Sequence, residues 1–139
     1  MQQTSGQAVF GSCLCGGVRF RLIPPLAPVQ ICHCSQCRKA QGGPFATNIP
    51  VFDAQIEWLS GQDLMSSFES TPGKQRVFCK VCASPLYSCR SSLPGVYRIR
   101  AGLLDEPLPV TRAFHAYTDS ACSWWPIDDD LPKFRGAAS

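Results

Sequence analysis

The sequence predicts one mostly antiparallel all-β domain. Twelve prolines and eleven glycines in 139 residues favour short elements joined by turns. Several short runs alternate apolar and polar side chains, which is the period of a half-buried strand. No window carries an apolar stripe through three helical turns, and the length is that of a single domain. With 45% hydrophobic and 17% charged residues, the composition is that of an ordinary globular protein.

The predicted elements follow from these patterns in chain order. Val18–Leu22 alternates apolar and basic residues and predicts a strand. Ser35–Gln41 predicts a short helical turn that ends at Gly42. Phe45–Phe52 predicts a strand that Pro50 restricts to a sheet edge or a bulge. Further strands are predicted over 56–59, 64–69, 76–78, 86–88, 96–101 and 112–117.

Seven of the nine cysteines lie in three tight clusters. The clusters are Cys13 and Cys15; Cys32, Cys34 and Cys37; and Cys79 and Cys82. Seven thiols divide naturally into four ligands plus three. A four-thiolate zinc site is closed and structural, whereas a three-thiolate site leaves one position open. The odd total of nine suits a complete disulfide framework poorly. We therefore expect zinc-binding loops, with one metal that holds the fold and one that could do chemistry.

The two outer pairs are suited to a shared site. A C-x-x-C knuckle such as Cys79 and Cys82 lets two sulfurs occupy adjacent corners of a tetrahedron. Cys13 and Cys15 supply a second pair from far away in sequence, so a shared ion would join the start of the chain to its middle. Closing such a long loop is where a metal contributes most stability in principle.

The central trio is the candidate site with an open coordination position. One loop can place three sulfurs around an ion, but bringing a fourth sulfur from the same loop to that ion would strain its backbone. The alternative is that Cys89, Cys122 or His33 completes the coordination and makes both metals structural. Cys89 and Cys122 are expected to be small buried residues. His33 is expected to be exposed or to make a hydrogen bond.

Charge and hydropathy exclude some function classes. Seven thiolates around two Zn²⁺ ions contribute three negative charges, which cancel the formal charge of +3. The strong positive field of a non-specific nucleic-acid binder would then be absent. We also expect no membrane span, since no apolar stretch reaches about 18 residues. The first ten residues lack the pattern of a secretory signal, so a cytoplasmic location is expected.

Several motifs in a fixed order resemble one family. They are Gly11-Ser-Cys-Leu-Cys-Gly-Gly-Val18, Cys32-His-Cys-Ser-Gln-Cys-Arg-Lys39, Gly43-Pro-Phe-Ala46, Arg76-Val-Phe-Cys-Lys-Val-Cys82, Ala101-Gly-Leu-Leu-Asp105, and a tail with His115, Trp124 and Ile127-Asp-Asp-Asp-Leu-Pro-Lys-Phe134. The chain is similar in these motifs to the glutathione-dependent formaldehyde-activating (Gfa-like) family. The resemblance implies a Gfa-like zinc-binding domain over 11–134, flanked by a flexible N-terminus at 1–10 and a C-terminal tail at 135–139. Two positions depart from the family pattern, Ala83 in place of a glycine and Ser123 in place of a proline.

The resemblance also implies a fold and an activity. The fold is a β-tent of stacked antiparallel sheets. The structural zinc would be held by Cys13, Cys15, Cys79 and Cys82, and the catalytic zinc by Cys32, Cys34 and Cys37. The activity is that of a carbon–sulfur lyase that combines glutathione, as co-substrate, with formaldehyde to give S-hydroxymethylglutathione. The partners would be a small thiol and a small aldehyde. The alternative is a non-catalytic, zinc-stabilised binding module of the same fold.

Other residues are candidates for supporting roles. Arg38 and Lys39 follow the trio and could bind the carboxylates of glutathione, although solvated surface charge is the simpler interpretation. His115 is either an acid–base group or a structural hydrogen-bonding residue. Trp124 and Trp125 either line a pocket or anchor the C-terminal segment on the core. The run 128–130 is expected to be a solvated turn.

Overall fold

In the computed structural model, which describes residues 7–108 and 110–138, the chain forms two β-sheets and one α-helix. The smaller sheet is antiparallel with the order β1-β2-β5. The larger sheet has the order β10-β3-β4-β9-β8-β7-β6, and its strands pair antiparallel except β10, which runs parallel to β3. The strands are β1 (Val9–Ser12), β2 (Arg19–Leu22), β3 (Val29–Cys32), β4 (Ala46–Phe52), β5 (Ile56–Ser60), β6 (Met65–Thr71), β7 (Lys74–Cys79), β8 (Pro85–Arg90), β9 (Val96–Arg100) and β10 (Arg112–Ala116).

The α-helix α1 spans Ser35–Gln41, as predicted. Its N-cap is Cys34, whose sulfur accepts a hydrogen bond from the backbone N–H of Cys37. It ends at Gly42, which adopts the left-handed conformation (φ 69°) that glycine tolerates at a helix C-terminus. Short 3-10 turns lie at Asp53–Gln55, Gln62–Leu64, Ala101–Leu103 and Thr118–Ser120. None of the helices in the described ranges is long and apolar enough to cross a membrane.

The main core lies where the small sheet packs on the middle of the large one. Phe20 and Leu22 of β2 and Ile49 and Ile99 of β4 and β9 are fully buried and belong to one cluster. Burying a side chain of this size stabilises the fold by about 2 kcal/mol. A second cluster, which contains Val18 and Leu86, surrounds the outer cysteine pairs. The apolar side chains of the alternating strands thus lie on the face of each sheet that packs against the core.

The mostly antiparallel all-β architecture is confirmed, and two further strands were not predicted. β3 has only four residues and follows a proline-rich loop, so its alternation is too short to recognise. β1 begins at Val9, inside the segment expected to be flexible, because Val9 is buried in the main core. Residues 1–6 of that segment lie outside the described residues.

The sequence predicted that Pro50 lies on a sheet edge or at a bulge, but it lies on an interior strand whose pairings show no register shift. β4 pairs with β9 through Phe52, whereas its pairing with β3 ends at Asn48. Pro50 is therefore opposite Arg98 on one side and beyond the end of β3 on the other. A missing N–H is tolerated there because that side of the strand has no partner.

The C-terminal segment runs beside β10 and positions the end of the chain. The N–H of His115 donates to the carbonyl of Pro132 at 2.9 Å, and the N–H of Phe134 donates to the carbonyl of His115 at 2.9 Å. Tyr117 donates to Gly136 at 2.8 Å. These bonds hold the tail against the same end of the sheet as the central cysteine trio.

Candidate metal centres and the adjoining cavity

The outer cysteine pairs form a four-sulfur cluster that could hold a metal ion. The sulfurs of Cys13, Cys15, Cys79 and Cys82 all lie within 4.8 Å of one another. Cys13 and Cys15 come from the loop between β1 and β2, whereas Cys79 ends β7 and Cys82 lies in the turn between β7 and β8. The cluster therefore connects the small sheet to the large one, as predicted for a four-thiolate structural site.

Hydrogen bonds from neighbouring protein groups orient the sulfurs of this cluster. The N–H of Val18 donates to Cys13 at 3.3 Å, and the N–H of Gly17 donates to Cys15 at 3.4 Å. A hydrogen bond with the Ser84 side chain lowers the pKa of Cys82 to about 5. Since thiolates are the zinc-binding form of cysteine, both features favour a bound cation.

The central trio forms a second group that could hold a metal ion. Its three sulfurs also lie within 4.8 Å of one another, with Cys37 Sγ 3.2 Å from Cys32 Sγ. Cys32 ends β3, Cys34 caps α1 and Cys37 lies in its first turn. Hydrogen bonds from the Cys32 and Cys37 side chains lower the pKa of Cys34, whereas those with Cys34 and Cys37 raise the pKa of Cys32. Cys34 is therefore the thiol that ionises more readily.

Within residues 7–108 and 110–138, no fourth side chain joins this group. Cys89 and Cys122 are half-buried free thiols outside both clusters. His33 is fully buried and donates to, or accepts from, another histidine. A metal ion held by the trio would therefore have three protein ligands from the described residues.

The trio opens into a cavity of about 590 Å³ that is lined by cationic side chains. Lys74, Arg90 and Arg98, from β7, β8 and β9, line it together with the three cysteines. None of the ion pairs formed within the described ranges involves these three cations. Lys74 is buried, and this burial lowers its pKa, an effect that the nearby Arg76 guanidinium reinforces. The cavity therefore offers uncompensated positive charge beside three sulfurs.

Two buried arginines lie behind the trio. Arg76 Nη2 is 3.8 Å from the sulfur of Cys37. Arg100 donates to the side-chain oxygen of Asn48, and its burial lowers its pKa to about 10, so it stays protonated at neutral pH. Both guanidiniums therefore place positive charge close to the trio.

A chain of hydrogen bonds runs from the trio loop to the C-terminal segment. Nε2 of His33 is 2.8 Å from Nδ1 of His115, and Nε2 of His115 is 2.9 Å from a carboxylate oxygen of Asp129. The hydrogen-bonding interpretation of His33 and of His115 is confirmed. Because His33 lies between two cysteines of the trio, the chain fixes the loop that presents their sulfurs.

The structure does not bring the other predicted residues to the cavity. Arg38 donates to the backbone oxygen of Ser120 at 3.0 Å, and Lys39 is exposed. Trp124 and Trp125 are 64% and 51% exposed, so they do not anchor the segment in the core, although Trp125 lines a shallow cavity of its own with Ile127.

The cavity cations Lys74, Arg90 and Arg98 are candidate site residues that the sequence analysis missed. Two of them have a recognisable signal, since a second basic residue lies two positions further along β7 (Lys74, Arg76) and β9 (Arg98, Arg100). Residues two apart on a strand share one face. The signal becomes interpretable only once the order of the strands in the sheet is known.

Comparison with known proteins agrees with these features. The family model of glutathione-dependent formaldehyde-activating enzymes matches residues 8–120. A Halomonas elongata protein that carries this family name is 37% identical over 107 residues, which are 71% of this chain and 67% of the relative. An uncharacterized lyase of Schizosaccharomyces pombe is 28% identical over 67% of this chain and 66% of its own length.

A solved structure shows the same fold. The crystal structure of a Rhodobacter sphaeroides protein superposes with a TM-score of 0.59 at 22% identity, and the match covers 72% of this chain and 91% of that one. The chain spans about two thirds of the length of the two named relatives. From the family match and the Halomonas relative together, this chain belongs to the glutathione-dependent formaldehyde-activating enzyme family.

Proposed function

We propose that this protein is a zinc-dependent carbon–sulfur lyase that adds glutathione, or a related anionic thiol, to formaldehyde or another small aldehyde. The product is an S-hydroxymethyl adduct or its homologue. The observation that carries the proposal is the three-sulfur group at the wall of a cavity rich in unpaired cations. The family name and the lyase relative support the same chemistry.

We propose that the four-sulfur cluster holds a structural zinc and that Cys32, Cys34 and Cys37 hold the catalytic zinc. The donor sets fit, since soft thiolates select zinc and the sulfurs of each group already converge. A zinc ion at the trio would lower the pKa of a bound thiol and keep it as a thiolate. All nine cysteines are free, which suits the reducing cytoplasm in which we place the protein.

The cavity residues bind and orient the thiol substrate. Glutathione carries two carboxylates, and Lys74, Arg90 and Arg98 supply cationic donors without acidic partners of their own. With its carboxylates held there, the thiol lies beside the trio. Addition forms one carbon–sulfur bond and converts the carbonyl double bond to a carbon–oxygen single bond, and the oxygen takes up one proton in place of the one that the thiol releases. Holding both reactants together lowers the entropic part of the barrier.

The test of the catalytic site is Cys34→Ala. We expect the zinc content to fall from two ions to one per chain and thiol-dependent turnover to be lost, while the circular dichroism spectrum is retained. Cys89→Ala is the matched control, because Cys89 lies outside both clusters, and it should keep both ions and its activity. Turnover by Cys34→Ala would contradict the proposal. Two zinc ions with no thiol response in the wild type would favour the non-catalytic binding module.

The test of the substrate class is Arg90→Met. We expect KM for glutathione to rise about three- to tenfold, because one exposed, partly screened charge contact is lost. KM should change more than kcat, and the difference should shrink at high salt. Steady-state kinetics with Arg19→Met, an exposed arginine of the small sheet, provide the control. An unchanged KM in Arg90→Met would exclude this cavity as the carboxylate site.

A further inference from the structure

A second cavity, of about 190 Å³, lies next to the buried arginines. Arg76, Arg100 and Gln41 line it, together with Phe68, Phe78 and Tyr87. Phe68 is 65% exposed, so the cavity reaches the surface at that side chain. No cysteine of the described residues lines it, which separates it from the cavity at the trio.

Three buried N–H groups around this cavity have no hydrogen-bond partner in residues 7–108 and 110–138. They are Nη1 of Arg76, Nε of Arg100 and Nε2 of Gln41. The two arginines are 91% and 95% buried, as their exposed fractions of 9% and 5% show. Leaving a buried donor unpaired destabilises the fold, and more so when the donor is charged. A bound acceptor would recover that free energy.

The partners of the remaining guanidinium nitrogens show that the arginines are fixed in place. Nε of Arg76 donates to Ser70 at 3.2 Å, and Nη2 of Arg76 lies 3.8 Å from the sulfur of Cys37. Nη1 of Arg100 donates to Asn48 and to the carbonyl of Arg98. The two guanidiniums are therefore fixed in place, which reduces the entropic cost of binding a ligand.

The charges around the cavity favour an anion. Neither Arg76 nor Arg100 takes part in any ion pair of the described ranges, and no carboxylate lines the cavity. A trio of thiolates with one zinc ion would carry a single negative charge, which leaves the pair of arginines with a net positive excess. Water could pair with the donors but would leave that charge uncompensated.

From these contacts we propose that the cavity binds a short monocarboxylate. Its two oxygens would accept from the Arg76, Arg100 and Gln41 donors. Its hydrocarbon end would contact the aromatic rings of Phe68, Phe78 and Tyr87. A carboxylate with an apolar body fits this lining better than inorganic phosphate, which has polar oxygens on every side. The site is a separate cavity from the thiol cavity, although Arg76 also contacts Cys37 of the trio.

The experiment measures Tm of the zinc-loaded protein against the concentration of sodium propionate, with sodium chloride holding the ionic strength constant. We expect a saturable rise in Tm, as for a ligand that binds only the folded state. Neutral propionamide and sodium phosphate should give no such rise at the same concentrations. An equal effect of phosphate or of propionamide would overturn the carboxylate assignment, and so would a flat response to propionate.

Three variants locate the binding. Gln41→Glu places a carboxylate beside the two guanidiniums and should abolish the propionate response. Arg100→Met should raise the apparent Kd of propionate about tenfold, as expected for one charge-assisted pair. Arg90→Met is the control for the thiol cavity and should keep the wild-type response. If Arg90→Met loses the Tm response to propionate and Gln41→Glu keeps that response, propionate binds at the trio cavity and the inference is wrong. This conclusion does not depend on the outcome of the glutathione kinetics.

Discussion

At the scale of single residues, Asp129 differs most from its predicted role. The sequence places it in a solvated turn, yet its carboxylate contacts His115 at 2.9 Å, Arg112 at 3.3 Å and the N–H of Leu131 at 3.0 Å. The hydrogen bond from His115 is the main reason that the pKa of Asp129 is lowered to about 2. These partners are 2 to 17 residues away, and only the pairing of the C-terminal segment with β10 brings the distant ones together.

We expect Asp129→Asn to lower Tm more than Asp128→Asn, whose side chain is exposed. The folded-state pKa of Asp129 lies below its ordinary value of 3.8. Its contribution is therefore complete above about pH 4 and is lost as the pH falls towards 2. The Tm difference between Asp129→Asn and the wild type should therefore shrink as the pH falls from about 4 towards 2 in thermal melts. Equal melting of the two variants would contradict a structural role for Asp129.

At the scale of elements, strand alternation predicted most of the sheet. The segments at 56–59, 86–88 and 96–101 coincide with β5, β8 and β9 to within two residues. β1 and β3 were missed because each offers only four residues beside a polar or proline-rich segment, whereas Val18 extends the alternation of β2 to five residues. The parallel pairing of β10 with β3 has no local signal. The helix was predicted well because its stop, Gly42, is a local feature.

The turn after β5 gives the sharpest test of an element. Gly61 has φ +84°, and a Cβ there would lie 2.3 Å from the carbonyl oxygen of Gly17 and 2.7 Å from Cα of Val18. Because backbone atoms cannot rotate away, we expect Gly61→Ala to lower the free energy of unfolding by roughly 3 kcal/mol or more. Gly95→Ala is the control, since Gly95 has φ +79° but open space around it, and it should cost about 1 kcal/mol. Urea denaturation measures both values, and similar losses would refute the steric account.

At the scale of the whole molecule, the division of the cysteines into four and three was predictable, whereas the cationic cavity was not. Each cysteine cluster is compact in sequence and is therefore visible there. Only the meeting of the two outer pairs in one group depends on the three-dimensional fold. Lys74, Arg90 and Arg98 meet at the trio because β7, β8 and β9 are neighbours in the large sheet and Cys32 ends a strand of the same sheet. Sheet order depends on contacts far apart in sequence, so local patterns carry little information about it.

The closeness of the sulfurs has a practical consequence for handling the protein. Cys37 and Cys32 have sulfurs 3.2 Å apart, and those of Cys13 and Cys15 are 3.5 Å apart. A disulfide needs about 2.05 Å, so the two pairs have about 1.2 Å and about 1.5 Å to close. If the proposed metal ions are removed by a chelator, air oxidation will compete directly with reloading. Purification without a reductant would therefore yield chains that look inert for a reason unrelated to their catalytic capacity.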